Sequence, residues 1–240
     1  MQRNVILHIG LPKTGTTSLQ QFLSESSAFL KGANLFFVHD VNGSPNFKSL
    51  LYLTVSKKRR HLMPFKQRKF PGFLARLFLR RRVPRHLAQA MGDHPAMTPF
   101  ISTELLSNLR DREEFAALRS LFPAGTAFTV ILTLRSRDGY VASLNRQLQS
   151  QGLAPLSLGT AAGPAGRDDW LLDHQGLLKS LRHITNDVRI VDYDAAMLSE
   201  GNVIGAVLRA AGIQKAPRGG SDLFLNRKPR LQEKIATEAA

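Results

Sequence analysis

Residues 5–9, VILHI, form a short apolar run that ends at Gly10; LPKTGTTS follows, and then Leu19, Phe22, Leu23 and Leu30 recur at helical spacing. The order of buried strand, glycine turn and helix restricts the fold more than any other feature of the chain. Glycines let the backbone turn tightly and aim several N–H groups at one point. The helix N-terminus adds positive potential, and the lysine and threonine side chains add donors. Residues 10–18 therefore read as an anion cradle that opens a first helix running to about residue 30. The plain alternative is an ordinary glycine turn with a Thr or Ser cap.

Further elements alternate along the chain. Strands are expected at 35–38, 99–103, 128–134 (FTVILTL, the clearest of them) and 188–191. Helical patterns fall at 105–121, at Val141, Leu144 and Leu148, at 171–184 and at 203–211, with a Gly-, Ala- and Pro-rich loop at 152–166. Alternation of this kind predicts α/β architecture: a mostly parallel central sheet flanked by helices. At 240 residues and 43% hydrophobic content the chain suits a single domain with its own core. A basic helical insertion is expected at about 57–92, and a loose tail over 214–240.

Cysteine is absent, which excludes disulfides and thiolate metal sites. No apolar run approaches the length of a membrane span or of a signal-peptide core, so the expectation is a cytoplasmic protein, with a peripheral place on the inner face of a membrane as the second reading. The net charge of +15 is concentrated: residues 57–85 hold twelve Lys or Arg and no acid, leaving +3 for the rest. Such a patch predicts an anionic partner. Pro64, Pro71 and Pro84 argue against one long helix there. Phe70, Phe73, Leu74, Leu77 and Phe78 share a helical face, with Arg76, Arg80 and Arg81 around the other sides. Two readings stand: a basic amphipathic helix for an anionic membrane interface, or a core-facing helix with a solvated basic back. Nucleic acid is disfavoured, since no stacking arrangement of aromatics and no recognised module accompanies the charge.

The cradle is not a Walker A loop. That motif places lysine directly after its second glycine, where this chain has Thr16; the lysine stands earlier, at Lys13. A kinase also places an acid near the end of a core strand for magnesium, whereas the best core strand here runs into Arg135. A nucleotide kinase or another NTP-binding P-loop enzyme is thus the alternative reading.

PKTGTTS, from Pro12 to Ser18, resembles the 5′-phosphosulfate loop of the sulfotransferases that use 3′-phosphoadenosine-5′-phosphosulfate (PAPS). In that family an arginine closes a central strand and a serine follows eight residues later on the next helix; LRSRDGYVAS supplies Arg135 and Ser143 in that context. The resemblance spans about residues 4–213 and points to a divergent, bacterial-type member with a P-loop-like sulfotransferase fold. It implies a 5′-phosphate site built from Pro12, Lys13, Thr14, Gly15, Thr16, Thr17 and Ser18, and a 3′-phosphate site built from Arg135 and Ser143. Ser143 lies off the apolar stripe of its helix and so is expected to be accessible. Tyr193, in Asp-Tyr-Asp, matches a tyrosine that approaches the adenine, with a structural tyrosine as the other reading. Asn226, Arg227 and Lys228 are candidates on the C-terminal side of the cofactor.

The implied reaction is metal-free sulfuryl transfer to a hydroxyl of a glycan or glycolipid. Lys13 is expected to stabilise charge on the bridging oxygen. Glu104 is the leading candidate base, because it follows the 99–103 strand where cytosolic relatives carry a catalytic histidine. Its alternative role is that of an acid in the first turn of a helix. His39, beside Asp40 at the end of the second strand, is the runner-up base. His8 is expected to be buried.

Overall fold

The computed structural model describes residues 3–62, 71–159, 166 and 168–214. Five strands, β1 (Asn4–Gly10), β2 (Leu35–Phe37), β3 (Thr98–Ser102), β4 (Ala127–Leu134) and β5 (Val188–Asp192), form one sheet in the order β2-β3-β1-β4-β5. Every pairing is parallel. β1 is the axis: its seven residues pair in unbroken register with β4, and Ile6 to His8 pair with β3. The sheet is the doubly covered α/β type expected from the alternation, since parallel strands need crossover helices and these bury both faces.

The two faces follow from period-two alternation along the strands. Val5, Leu7 and Ile9 of β1 join Phe128, Val130 and Leu132 of β4 in the larger core. That core is covered by α3 (Ser49–Thr54), α4 (Phe73–Asp93), α5 (Arg112–Arg119), α6 (Arg137–Gln149) and α7 (His174–Leu181). Ile6 and Ile131 face the other way, against α1 (Thr16–Glu25), α2 (Ser27–Gly32), α8 (Tyr193–Glu200) and α9 (Ile204–Ala210). The expected first helix is two helices, parted at Ser26, whose N–H caps the carbonyl of Phe22. The 105–121 pattern likewise divides into a 3-10 turn at Leu105–Asn108 and α5, because Asp111 and Glu114 form a capping box that starts a new helix.

Pro84 does not end a helix. It lies inside α4, which continues to Asp93. The proline divides that helix by function of packing: Val83, Leu87 and Met91 are buried, whereas Phe73, Leu74, Leu77 and Phe78 face solvent. The apolar face of the basic segment is therefore not core-facing. The preceding part of that segment forms a 3-10 turn at Lys57–Leu62. Arg59 anchors it, donating to Glu114 Oε2 at 3.3 Å and to the Asn108 carbonyl at 3.0 Å. Glu114 is buried and also accepts from the backbone N–H groups of Ser56, Arg110 and Asp111. Residues 215–240, with Asn226, Arg227 and Lys228, lie outside the described residues.

One carboxylate thus ties the basic turn, the start of α5 and the chain before it together. Removing one partner of a buried pair leaves an uncompensated charge, at a cost of about 3–5 kcal/mol. Glu114→Ala is expected to lower unfolding free energy by that amount in urea titration, well beyond the loss from Glu113→Ala at the exposed neighbouring position.

Candidate active site

Parallel strands end at one edge of the sheet, and each of the five is followed there by a chemically distinctive residue. Read across the edge in strand order, these are Lys48 in the loop after β2, Glu104 after β3, Lys13 after β1, Arg135 after β4, and Tyr193 with Asp194 after β5. Backbone bonds pin the loops to their neighbours. Phe47 N–H donates to Ser102 O at 3.2 Å, Thr103 N–H to His8 O at 3.0 Å, and Leu11 N–H to Thr133 O at 3.0 Å. Ligands of open α/β sheets occupy the crevice beyond the carboxyl ends of the strands.

The cradle turns through two left-handed residues, Lys13 at φ 70° and Gly15 at φ 73°. Thr14 is buried and holds the turn, its hydroxyl donating to Leu11 O at 2.6 Å. Pro12 and Ser18 are half-buried, while Lys13 and Thr17 reach solvent. Gly15 caps α1, and a Cβ there would meet Val203 Cγ1 at 3.1 Å and Tyr193 Cε2 at 3.6 Å. Gly10 is needed for a different reason. A Cβ on it would meet Thr16 Oγ1 at 2.5 Å and Thr14 Oγ1 at 2.9 Å, so only glycine lets the two hydroxyls close over the strand end. The buried Thr16 Oγ1 has no hydrogen-bond partner among the described residues.

Arg135 reaches back to this loop. Its Nη1 donates to Lys13 O at 3.1 Å, its guanidinium lies 4.9 Å from the centroid of the Tyr193 ring, and its Nε stands 3.5 Å from Asp194 Oδ1. Asp194 also accepts from Ser136 N–H at 2.8 Å. The hydrogen bonds from Ser136 are the main reason its carboxyl is held below the usual range, with Arg135 adding to the effect. Gly139 makes room for this fold-back, since a Cβ there would meet Arg135 Nε at 3.0 Å. A glycine in the first turn of a helix, four residues after the arginine, is a packing signal that motif reading passes over. Ser143 is buried, at 8% exposure, beside Tyr140 and Leu144 on α6. Its expected accessibility is not observed, because α6 packs on a face wider than the Val141, Leu144 and Leu148 stripe.

Glu104 is half-buried at the start of the 3-10 turn. Burial pushes its carboxyl up, and the ammonium groups of Lys48 and Lys13 draw it partly back. On its other side lies the buried Tyr140 phenol, whose pKa is raised by burial and by the Glu104 charge. Lys48 and Tyr140 were not legible as site residues, since strand order alone brings them to Glu104. His39 sits elsewhere. Its ring bonds Ser24 Oγ at 2.8 Å, eight residues beyond Thr16 and so about 12 Å along α1. Burial and the neighbouring His86 lower its pKa. Asp40 is committed to the backbone, accepting from Val41 and Ser49 N–H groups.

Comparison with protein-family models gives no match, and comparison with curated proteins gives none either. Among solved structures, a sulfotransferase from Alicyclobacillus acidocaldarius is similar at TM-score 0.50 and 11% identity, over 99% of this chain and 92% of that one. A sulfotransferase from Mycobacterium tuberculosis H37Rv is similar at TM-score 0.44 and 15% identity, over 99% and 76%. A gluconokinase from Sinorhizobium meliloti 1021 is similar at TM-score 0.33 and 11% identity, over 100% and 99%. The first likeness is one of fold: the chain has a sulfotransferase-like α/β fold.

Beneath the cradle, His8 replaces an apolar residue on the α1 face of β1. It is buried, with Nδ1 at 2.9 Å from Ser102 Oγ and Nε2 at 3.0 Å from Thr133 Oγ1. One ring nitrogen donates and the other accepts, and Gln20 Nε2 completes the network at Ser102. Burial pushes the His8 pKa down to about 3. A folded value below the unfolded one gives stability that is present above pH 6.5 and lost as pH falls toward 3. Between pH 7 and 5, His8 is expected to remove about 2 kcal/mol. Urea titrations should show this pH slope falling by one proton in His8→Asn.

Proposed function

We propose that the chain is a sulfotransferase that moves a sulfuryl group from PAPS to a hydroxyl of a glycan or glycolipid. The observation that carries the reading is the continuity of the strand-end row: Arg135 Nη1 bonds the Lys13 carbonyl, and Glu104 lies in the field of Lys13 from the opposite side. Anion-binding capacity thus extends across two strand ends, with an acid flanking it. The residues fit a doubly phosphorylated adenosine. Thr16 Oγ1 is buried and makes no hydrogen bond among the described residues, and the exposed Lys13 and Thr17 side chains are positioned to add donors. The Tyr193 ring, half-buried beneath the guanidinium, is assigned to the adenine side of the site by the sequence resemblance. The kinase reading shares the cradle but requires lysine where this chain has Thr16.

When bound, PAPS supplies a sulfuryl group already activated by its link to a phosphate oxygen. As the acceptor oxygen bonds to sulfur, its proton passes to the Glu104 carboxylate. The bond from sulfur to the bridging oxygen breaks, and its electron pair departs with adenosine 3′,5′-bisphosphate, where the Lys13 ammonium meets the developing charge. Glu104 is favoured over His39 because its charge interacts with Lys13, while the His39 ring is engaged by Ser24. Raised by burial, the Glu104 carboxyl is a stronger base than an exposed glutamate, and Lys48 and Lys13 offset part of that rise. Ser143 is buried on α6, so its assignment to the 3′-phosphate rests on the sequence resemblance alone.

Adenosine 3′,5′-bisphosphate is expected to raise Tm by more than ATP does, at about 2.7 kcal/mol of stabilisation when present at 100 times its Kd. A larger shift from ATP would reverse the assignment. Arg135→Ala should weaken the bisphosphate with little effect on the apo-protein's Tm.

Turnover with radiolabelled PAPS and fractionated envelope glycans or lipids should fall at least about 100-fold in Lys13→Ala and in Glu104→Gln. Because the carboxyl is raised, the acidic limb of kcat should lie above the ordinary glutamate range and vanish in Glu104→Gln. A retained acidic limb in that variant removes Glu104 as the base.

A further inference from the structure

The solvent-facing end of α4 has no role in the reading above. Phe73 is 81% exposed and Leu74 77%, and Leu77 and Phe78 join them on one face. The spacing i, i+1, i+4, i+5 makes this a contiguous apolar strip on the helix. Arg81 and Arg85 continue the strip toward the C-terminus, Arg82 flanks it against the Phe78 ring at 5.4 Å, and no acid occurs in α4 before Asp93. Behind the strip runs a groove of about 310 Å³ whose walls are Lys57, Arg60, Arg76 and Arg80 together with Phe73 and Leu77. Glu113 and Glu114 face the adjoining cavity, and Glu114 is committed to Arg59 and to backbone donors. Burial and the nearby Arg80 lower the Arg60 pKa, so these cations stand close enough to repel one another.

We propose that this end of α4 is a docking surface for an anionic membrane. Phenylalanine and leucine side chains enter the acyl boundary while the arginines around and behind them take lipid phosphates. The charge pattern selects this occupant. A second copy presenting the same face would set one arginine cluster against another, as a two-fold contact requires. A nucleic acid backbone offers nothing to the exposed Leu74 and Leu77. The position suits a membrane as well. His86 Nε2 lies 2.8 Å from the His39 carbonyl just beyond β2, and Arg3 at the start of β1 reaches Met91 O at 2.6 Å. The N-terminal end of the helix therefore points toward the carboxyl ends of the strands. Phe78, eight residues before His86, stands about 12 Å past that level. The docking surface and the strand-end row share one side of the molecule. The proposal holds whether or not the transferase reading does.

The test is co-sedimentation of the full chain with vesicles of phosphatidylcholine, with and without phosphatidylglycerol, at physiological salt. Binding is expected only to the anionic vesicles. It should weaken roughly tenfold in the double variant Phe73→Ser, Phe78→Ser and in Arg81→Glu, Arg85→Glu, while circular dichroism melting stays unchanged because all four side chains are exposed. Absence of binding to anionic vesicles overturns the proposal. So does binding that the serine variant retains in full, or a wild-type dimer in solution that the serine variant abolishes. A DNA duplex that displaces the protein from vesicles and itself loses affinity in the serine variant would reassign the surface to nucleic acid.

Discussion

Parallel pairing of β1 with β3 on one side and β4 on the other is the constraint from which the rest follows. It forces successive crossovers to return each strand in the same sense, so residues far apart in sequence reach one edge in an order set by the sheet. Lys13 and Arg135 are 122 positions apart, yet follow adjacent strands. A single slip in the β1–β4 register would turn His8 and Ile6 into the opposite core and move Gly10 away from Thr133. The cradle is thus held by the sheet beneath it as much as by its own glycines.

Charge along that edge is mixed in sign: cation, acid, cation, cation, acid, from Lys48 to Asp194. The acids have different surroundings. Asp194 is stabilised in its ionised form by Ser136 and Arg135, whereas Glu104 is desolvated and only partly compensated by two lysines. Two carboxylates on one edge are thereby separated in proton affinity, the condition under which one can serve as a base while the other only orients an arginine. His8 contributes neither proton nor charge. As a neutral imidazole between two hydroxyls, it fills a polar layer under the loop.

The strands were legible because their apolar runs are short, β-branched and bounded by polar residues; FTVILTL lies wholly within β4 as observed. Helix limits were less so. The break at Ser26 and the restart at Asp111 depend on backbone capping that apolar spacing does not report. Pro84 misled because a proline costs one hydrogen bond and a steric adjustment, and the apolar contacts of Val83, Leu87 and Met91 outweigh that in α4. Of the strand-end row, Lys13 and Arg135 carried local signatures. Lys48 and Asp194 in the row, and Gly139 and Tyr140 on α6 behind it, did not, since their roles arise only when separate segments meet. The apolar face of α4 was visible as a face, but which way it pointed is a tertiary fact.

Pro84 has a mechanical consequence. It has no N–H for the Arg80 carbonyl, so the helix lacks a rung just where it leaves the body of the protein. After the proline, Leu87 and Met91 hold the helix to the core; just before it, Val83 and the partly buried Leu79 do the same, and the exposed basic arm lies beyond this weakened turn. A helix missing a rung bends there at lower cost than elsewhere, so a load on the exposed arm is taken up at the joint before it reaches the sheet and the strand ends.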